Sequence, residues 1–141
     1  MPRWEHTIEI HASPEAIWDV LTDLERWPHW TPSVRSLKPL TDGKFDAGTQ
    51  ARVHPAGSAE STWTVTLIDP GRSFRWATRV RGAATIGDHI IAPVENGARV
   101  TLAIEVHGLA GKVFKPLIGP GIARNLKAEA EGLKRESEAR A

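Results

Sequence analysis

Residues 8–32, IEIHASPEAIWDVLTDLERWPHWTP, decide the fold, because the hydrophobic period changes inside them. Ile8 and Ile10 alternate with Thr7, Glu9 and His11, the period-two pattern of a strand with one buried face. At Ser13 the chemistry switches. Serine is a good N-cap, Pro14 suits the first helical position, where a missing N–H loses no partner, and Glu15 faces the positive end of the helix dipole. Ile17, Leu21 and Leu24, with Trp18 beside them, then recur at helical spacing, so a strand feeds directly into a short amphipathic helix. Asp23 reads as the cap of a second short helical turn that Pro28 ends, after which Pro28 and Pro32 stiffen the crossing back to a sheet.

Downstream, the runs SVRSLKPL, TQARVHP, STWTVTLI, SFRWATRV, ATIGDHIIA and ARVTLAIEV each have strand character. Turn chemistry at Asp42-Gly43, Asp69-Pro70-Gly71 and Asn96-Gly97 separates several of them, which predicts an antiparallel meander. From about Gly111 the period lengthens again. Ile122, Leu126, Ala130 and Leu133 share one helix face, while Lys127, Glu131, Lys134 and Arg135 lie off it. The spacing predicts a long C-terminal helix, broken or kinked at Gly119-Pro120-Gly121. The order is that of an α+β chain with helices on one face of a curved antiparallel sheet, in one domain over residues 1–141.

The totals exclude several classes. A chain of 141 residues at 40% hydrophobic composition is the size of one domain with one core. With 18 basic and 17 acidic residues the net charge is +1, which disfavours nucleic acid as a partner. The absence of cysteine removes disulfides and thiolate chemistry. MPRWEHTIEI has no apolar core of a signal segment and no stretch is long and apolar enough for a transmembrane helix, so a cytoplasmic location is expected. The six histidines show no HExxH or other ligand spacing, so neither a metal nor a cofactor is expected. Ser58 and Ser61 stand near His54, but no glycine-flanked elbow surrounds either serine.

Taken together, IEIHASPEAIWDVLTDLERWPHWTPSV, VENGARVTL and the cadence of NLKAEAEGLKRESEA resemble the polyketide cyclase/dehydrase branch of the START-like (SRPBCC) superfamily over nearly the whole chain. The resemblance implies a helix-grip fold: a sheet of about seven strands wrapped around the last helix, two short helices after the first strand, and a deep, largely apolar cavity between sheet and helix. It implies no universal catalytic motif, since members range from lipid carriers to aromatase/cyclases and chaperone co-activators.

Hairpin register names the residues that face such a cavity. A two-residue loop at Asn96-Gly97 pairs Glu95 with Ala98, and hence Ile91 with Leu102 and His89 with Ile104. A loop at Gly82-Ala83 pairs Trp76 with His89, and a turn over residues 69–72 pairs Phe74 with Leu67 and Trp76 with Val65. Trp63, Val65, Leu67, Phe74, Trp76, His89, Ile91, Leu102 and Ile104 then form one concave face, with Trp30 at the cavity mouth. Ile86 and Ile90 fall on the outer face, and a bulge or three-residue turn in 84–92 would reverse that assignment.

His89 is the first catalytic candidate, because an imidazole in an apolar pocket can orient a carbonyl or move a proton; the same count places no second titratable group beside it. Arg75, Arg79 and Arg81 make a stripe on the outer face, diluted by Asp88 and Glu105. The expected function is binding of an apolar small molecule, a lipid, polyketide or isoprenoid-like compound, between sheet and C-terminal helix. The alternatives are a cyclase or dehydrase acting in the same cavity through His89, and a protein-interaction role for the arginine stripe.

Overall fold

The computed structural model describes residues 2–80, 82–108 and 115–140. The chain order is β1 (Arg3–Ile10), α1 (Pro14–Thr22), a 3-10 turn (Leu24–Arg26), α2 (Trp27–Trp30), β2 (Val34–Pro39), β3 (Gln50–Pro55), β4 (Ser61–Asp69), β5 (Ser73–Val80), β6 (Ala83–Val94), β7 (Gly97–His107) and α3 (Lys115–Arg140). The strands form one antiparallel sheet in the order β1-β7-β6-β5-β4-β3-β2. Consecutive strands from β2 to β7 are therefore neighbours, and β1 closes on the last one, as the turn chemistry requires.

The strand-to-helix switch is built as its residues dictate. Ser13 Oγ accepts from the Ala16 N–H at 3.1 Å, Pro14 opens α1, and Ile17, Val20 and Leu21 are its buried face. The Asp23 carboxylate makes no cap; its backbone carbonyl accepts from Arg26 N–H instead. Pro28 does not end a turn, for it lies in the first turn of α2, where its missing N–H costs nothing. The C-terminal helix is not broken at Gly119-Pro120-Gly121. It runs from Lys115 to Arg140 with Pro120 inside. Pro120 follows Lys115 closely enough that its missing N–H removes only the bond to the Pro116 carbonyl.

The hairpins keep the expected faces but not the expected pairs. Val80 pairs with Ala83 and Val94 with Gly97, so each loop lies one residue earlier, with Gly82 (φ 78°) and Asn96 (φ 68°) at the second loop position in the left-handed conformation. Each partner consequently moves by two residues, which preserves facing. His89 stands opposite Phe74 and Leu102, Trp76 opposite Gly87, and Ile91 opposite Val100. Ile90 is exposed and Ile86 only half-buried on the outer side, as the register predicts.

Facing does change in β4. The turn Asp69–Arg72 forms, with Arg72 N–H donating to Asp69 O, but a bulge between Val65 and Leu67 shifts the β4–β5 register. Leu67 is sent outward at 59% exposure, and Phe74 pairs with Ile68 instead. Arg81, the third residue of the expected arginine stripe, lies outside the described residues.

Candidate functional site

The curled sheet and α3 do not meet along their whole length. A cavity of about 770 Å³ separates them. One wall is the concave sheet face, with Trp63 from β4, Trp76 and Thr78 from β5, Gly87 and His89 from β6, and Leu102 and Ile104 from β7. The opposite wall is α3, through Ile118, Ile122, Asn125, Leu126 and Glu129. Trp27 closes one end, and the turn between β3 and β4 forms another wall with Pro55, Ala56 and Gly57. Asn125 Nδ2 donates to the Ala56 carbonyl at 3.0 Å, which ties the helix to that turn across the cavity.

Local sequence explains the shape. Gly87 faces Trp76 and Ile104, and a Cβ there would lie 3.0 Å from Trp76 Nε1. Its lack of a side chain leaves room for the indole to lie against the sheet. Trp76 then stands midway in an aromatic row, 5.3 Å from both Trp27 and Trp63 between ring centroids. These rings form one flat-sided apolar end of the cavity.

His89 is the polar point in that end and is 4% exposed. Its ring stacks on Phe74 at 4.1 Å and 10° and meets Trp76 and Trp27 edge-on at 5.9 Å and 5.6 Å. Glu129 of α3 reaches it from the opposite layer, with Oε2 3.2 Å from His89 Nε2. The two atoms are at contact distance without the alignment of a hydrogen bond, and His89 Nδ1 and Glu129 Oε2 are both buried without a hydrogen-bond partner. Contact between two lone pairs is repulsive, so a proton lies between the two atoms, on Nε2 or on Oε2.

Of the ten residues expected on the concave face or at its mouth, Trp63, Trp76, His89, Leu102 and Ile104 line the cavity, and Leu67 is turned outward by the bulge. Val65, Phe74, Ile91 and Trp30 are buried elsewhere in the core. Trp30 packs on Trp27 at 5.3 Å and sits beneath Gly132 of α3, away from the mouth. Sequence reasoning missed Glu129, and with it the second titratable group that the strand register could not supply. The signal was present in α3: Glu129 follows Leu126 by three residues and precedes Leu133 by four, so it lies on the face that those leucines define.

The convex face is charged and internally paired. Arg75 donates to both Asp88 carboxylate oxygens at 2.7 and 3.1 Å, and Arg3 reaches Asp88, Glu5 and Glu105. Of the expected stripe, Arg75 is thus occupied and Arg79 is exposed. Among the described residues no group of three or more His, Asp or Glu side chains converges as a metal site, and no helix is long and apolar enough to cross a membrane.

A seven-stranded antiparallel sheet curled around a long C-terminal helix, with short helices after the first strand and a cavity between the layers, defines the helix-grip class. The chain belongs to the family described as polyketide cyclase/dehydrase and lipid transport, whose pattern it matches over residues 1–138. Among solved structures it is similar to the Zhui aromatase/cyclase from Streptomyces sp. R1128, at TM-score 0.78 and 20% identity over 99% of this chain and 94% of that one. It also resembles norcoclaurine synthase from Thalictrum flavum, solved with dopamine and hydroxybenzaldehyde, at TM-score 0.74 and 19% identity over 99% and 88% of the two chains. At these identities the likeness is one of fold. An uncharacterised protein of Mycobacterium tuberculosis is 26% identical over 97% of this chain and 85% of its own length.

Proposed function

We propose that this chain binds an apolar small molecule of lipid, polyketide or isoprenoid type in the cavity between its sheet and α3. The observation that carries the reading is the cavity itself: about 770 Å³, with Trp27, Trp63, Trp76, Leu102 and Ile104 among its walls. That volume falls in the range of sites that enclose a small molecule, and flat indole faces favour rings or conjugated chains. Family membership and the cyclase-like fold support a role of this kind.

The experiment is to purify the protein from its native host, extract it with organic solvent and identify what is released by mass spectrometry, with Trp76→Ala as control. A stoichiometric apolar compound that the variant fails to retain is expected. An empty protein whose tryptophan fluorescence no lipid or polyketide moves would refute the reading.

A second reading rests on the 3.2 Å approach of Glu129 to His89. The pair has the composition of a general acid–base unit, in which the carboxyl and the imidazole together move a proton of a substrate folded into reactive shape by the aromatic walls. His89→Ala should then abolish turnover of a poly-β-ketone substrate while leaving its affinity within about fivefold, or ~1 kcal/mol. Parallel loss of both would leave only a binding role.

A further inference from the structure

The cavity has an inner and an outer end, and its basic side chains stand only at the outer one. Along α3 the lining runs from Leu117, 78% exposed, to Glu129, whose side chain is 13% exposed, which is about 18 Å of helix. Among the described residues Arg124 is the only lysine or arginine on the cavity wall, and it is exposed. The next residue, Asn125, is the one that holds the Ala56 carbonyl in the turn between β3 and β4. In that turn Gly57 has φ 77°, and Ser58 N–H donates to the Pro55 carbonyl at 3.3 Å. A second hollow, of about 570 Å³, opens at the same turn and shares Gly57, Ser58, Ala59 and Val80 with the cavity. Arg35 and His54 complete its wall. Arg35 is placed there by a bulge: Val34 pairs with Pro55 and Ser36 with His54, so Arg35 is the extra residue of β2, and a bulge re-aims the side chain it inserts. Among the described residues neither Arg35 nor Arg124 pairs with a carboxylate, whereas Arg52 of the neighbouring strand is taken by Glu60.

Resting on the binding reading above, we propose that the ligand is an amphiphile held head outward, with its apolar body between the sheet and α3 and an anionic head, a carboxylate or a phosphate, at the mouth against Arg35 and Arg124. A guanidinium presents paired N–H donors that match the oxygens of either head and stays charged at every physiological pH. A charged head driven to the inner end would lose its water among Trp27, Trp63 and Trp76 with no lysine or arginine to replace it. At the mouth it keeps part of its hydration while the body lies along the indole faces. The cavity and the hollow beside it thus form one site, apolar within and cationic at its rim.

Calorimetric titration of the full chain near neutral pH with decanol, decanoate and decyl phosphate, which share one chain and differ at the head, tests this. At least one of the two anions should bind about fivefold or more tighter than decanol. A preference for decanoate alone would assign the head to the carboxylates, and one for decyl phosphate alone to the phosphate esters. Combining Arg35→Gln with Arg124→Gln should bring the favoured anion down to the affinity of decanol. Decanol itself should stay within about twofold, which also shows that the variant keeps its cavity. Decanol binding as tightly as both anions would overturn the proposal while leaving the cavity reading intact. A preference that survives the double substitution would overturn it too, since its source would lie elsewhere. Failure of all three probes to bind the wild type would remove the cavity reading as well.

Discussion

Asp88 is 8% exposed on the convex face of the sheet, which is an expensive position for a carboxylate. Burial by itself pushes its carboxyl up; the hydrogen bonds and charge of Arg75, followed by those of Arg3, outweigh that and hold it below the ordinary value of 3.8. A depressed folded pKa means that the group contributes stability above its unfolded pKa and loses it as pH falls through the folded value. Asp88→Asn should therefore cost about 1–3 kcal/mol near neutral pH, and the gap to wild type should begin to narrow below about pH 4 and close only at more acid pH, below the depressed folded value, where both proteins lack the charge. Urea unfolding across a pH series measures this directly; a gap independent of pH would show that the ion cluster contributes nothing. The same residue shows how sequence reading works best: the alternation of β6 sends Asp88 out and His89 in, whatever the partner strand. Glu129 escaped that logic because it approaches His89 from another layer, and strand parity says nothing about which helix residue faces a given strand residue.

Helix α3 is seated through Gly132, where an added Cβ would collide with the Trp30 carbonyl oxygen. That oxygen also accepts from Arg135 at 3.4 Å, so α2 and α3 touch backbone to backbone. Two effects oppose each other in Gly132→Ala. Alanine gains about 1 kcal/mol of helix propensity over glycine, while forcing a methyl into a well-packed contact costs about 1–3 kcal/mol. Because the obstructing atom belongs to backbone rather than to a flexible side chain, the clash should win, giving net destabilisation in chemical denaturation; a more stable variant would disprove the close seating. Element identity was legible from the sequence: every strand run and both terminal helical patterns are present. The β4 bulge was not, because Leu67 and Ile68 are adjacent apolar residues and either can serve the core. Sheet coiling chose Ile68, and the alternation of Trp63 and Val65 carried no sign of it.

The whole molecule is two layers held apart over part of their length. A cavity between the layers loses the dispersion contacts that a packed interface would have, so a ligand that occupies it adds stability through mass action alone. At a hundred times its dissociation constant, an apolar ligand should raise the unfolding free energy by about 2.7 kcal/mol. Ala128 lines the cavity and is half-buried, so Ala128→Trp should obstruct part of the space, fold, and reduce this thermal shift. Differential scanning fluorimetry of the two proteins tests it, and an undiminished shift in the variant would place the ligand outside the cavity.

Period, capping and turn chemistry were readable in one dimension because each acts over a few residues: Ser13 and Pro14 start a helix, Gly71 and Asn96 turn the chain, and alternation sends Trp76 and His89 to the same side. Facing even survived an error in both hairpin loops, since moving a loop by one residue moves each partner by two. The separation of the layers obeys no such local rule. It depends on where Gly132 lets α3 touch α2, where Asn125 ties it to Ala56, and how far the bulged sheet curls away between them. Those contacts join residues remote in the chain, and together they leave the cavity open and bring Glu129 to His89.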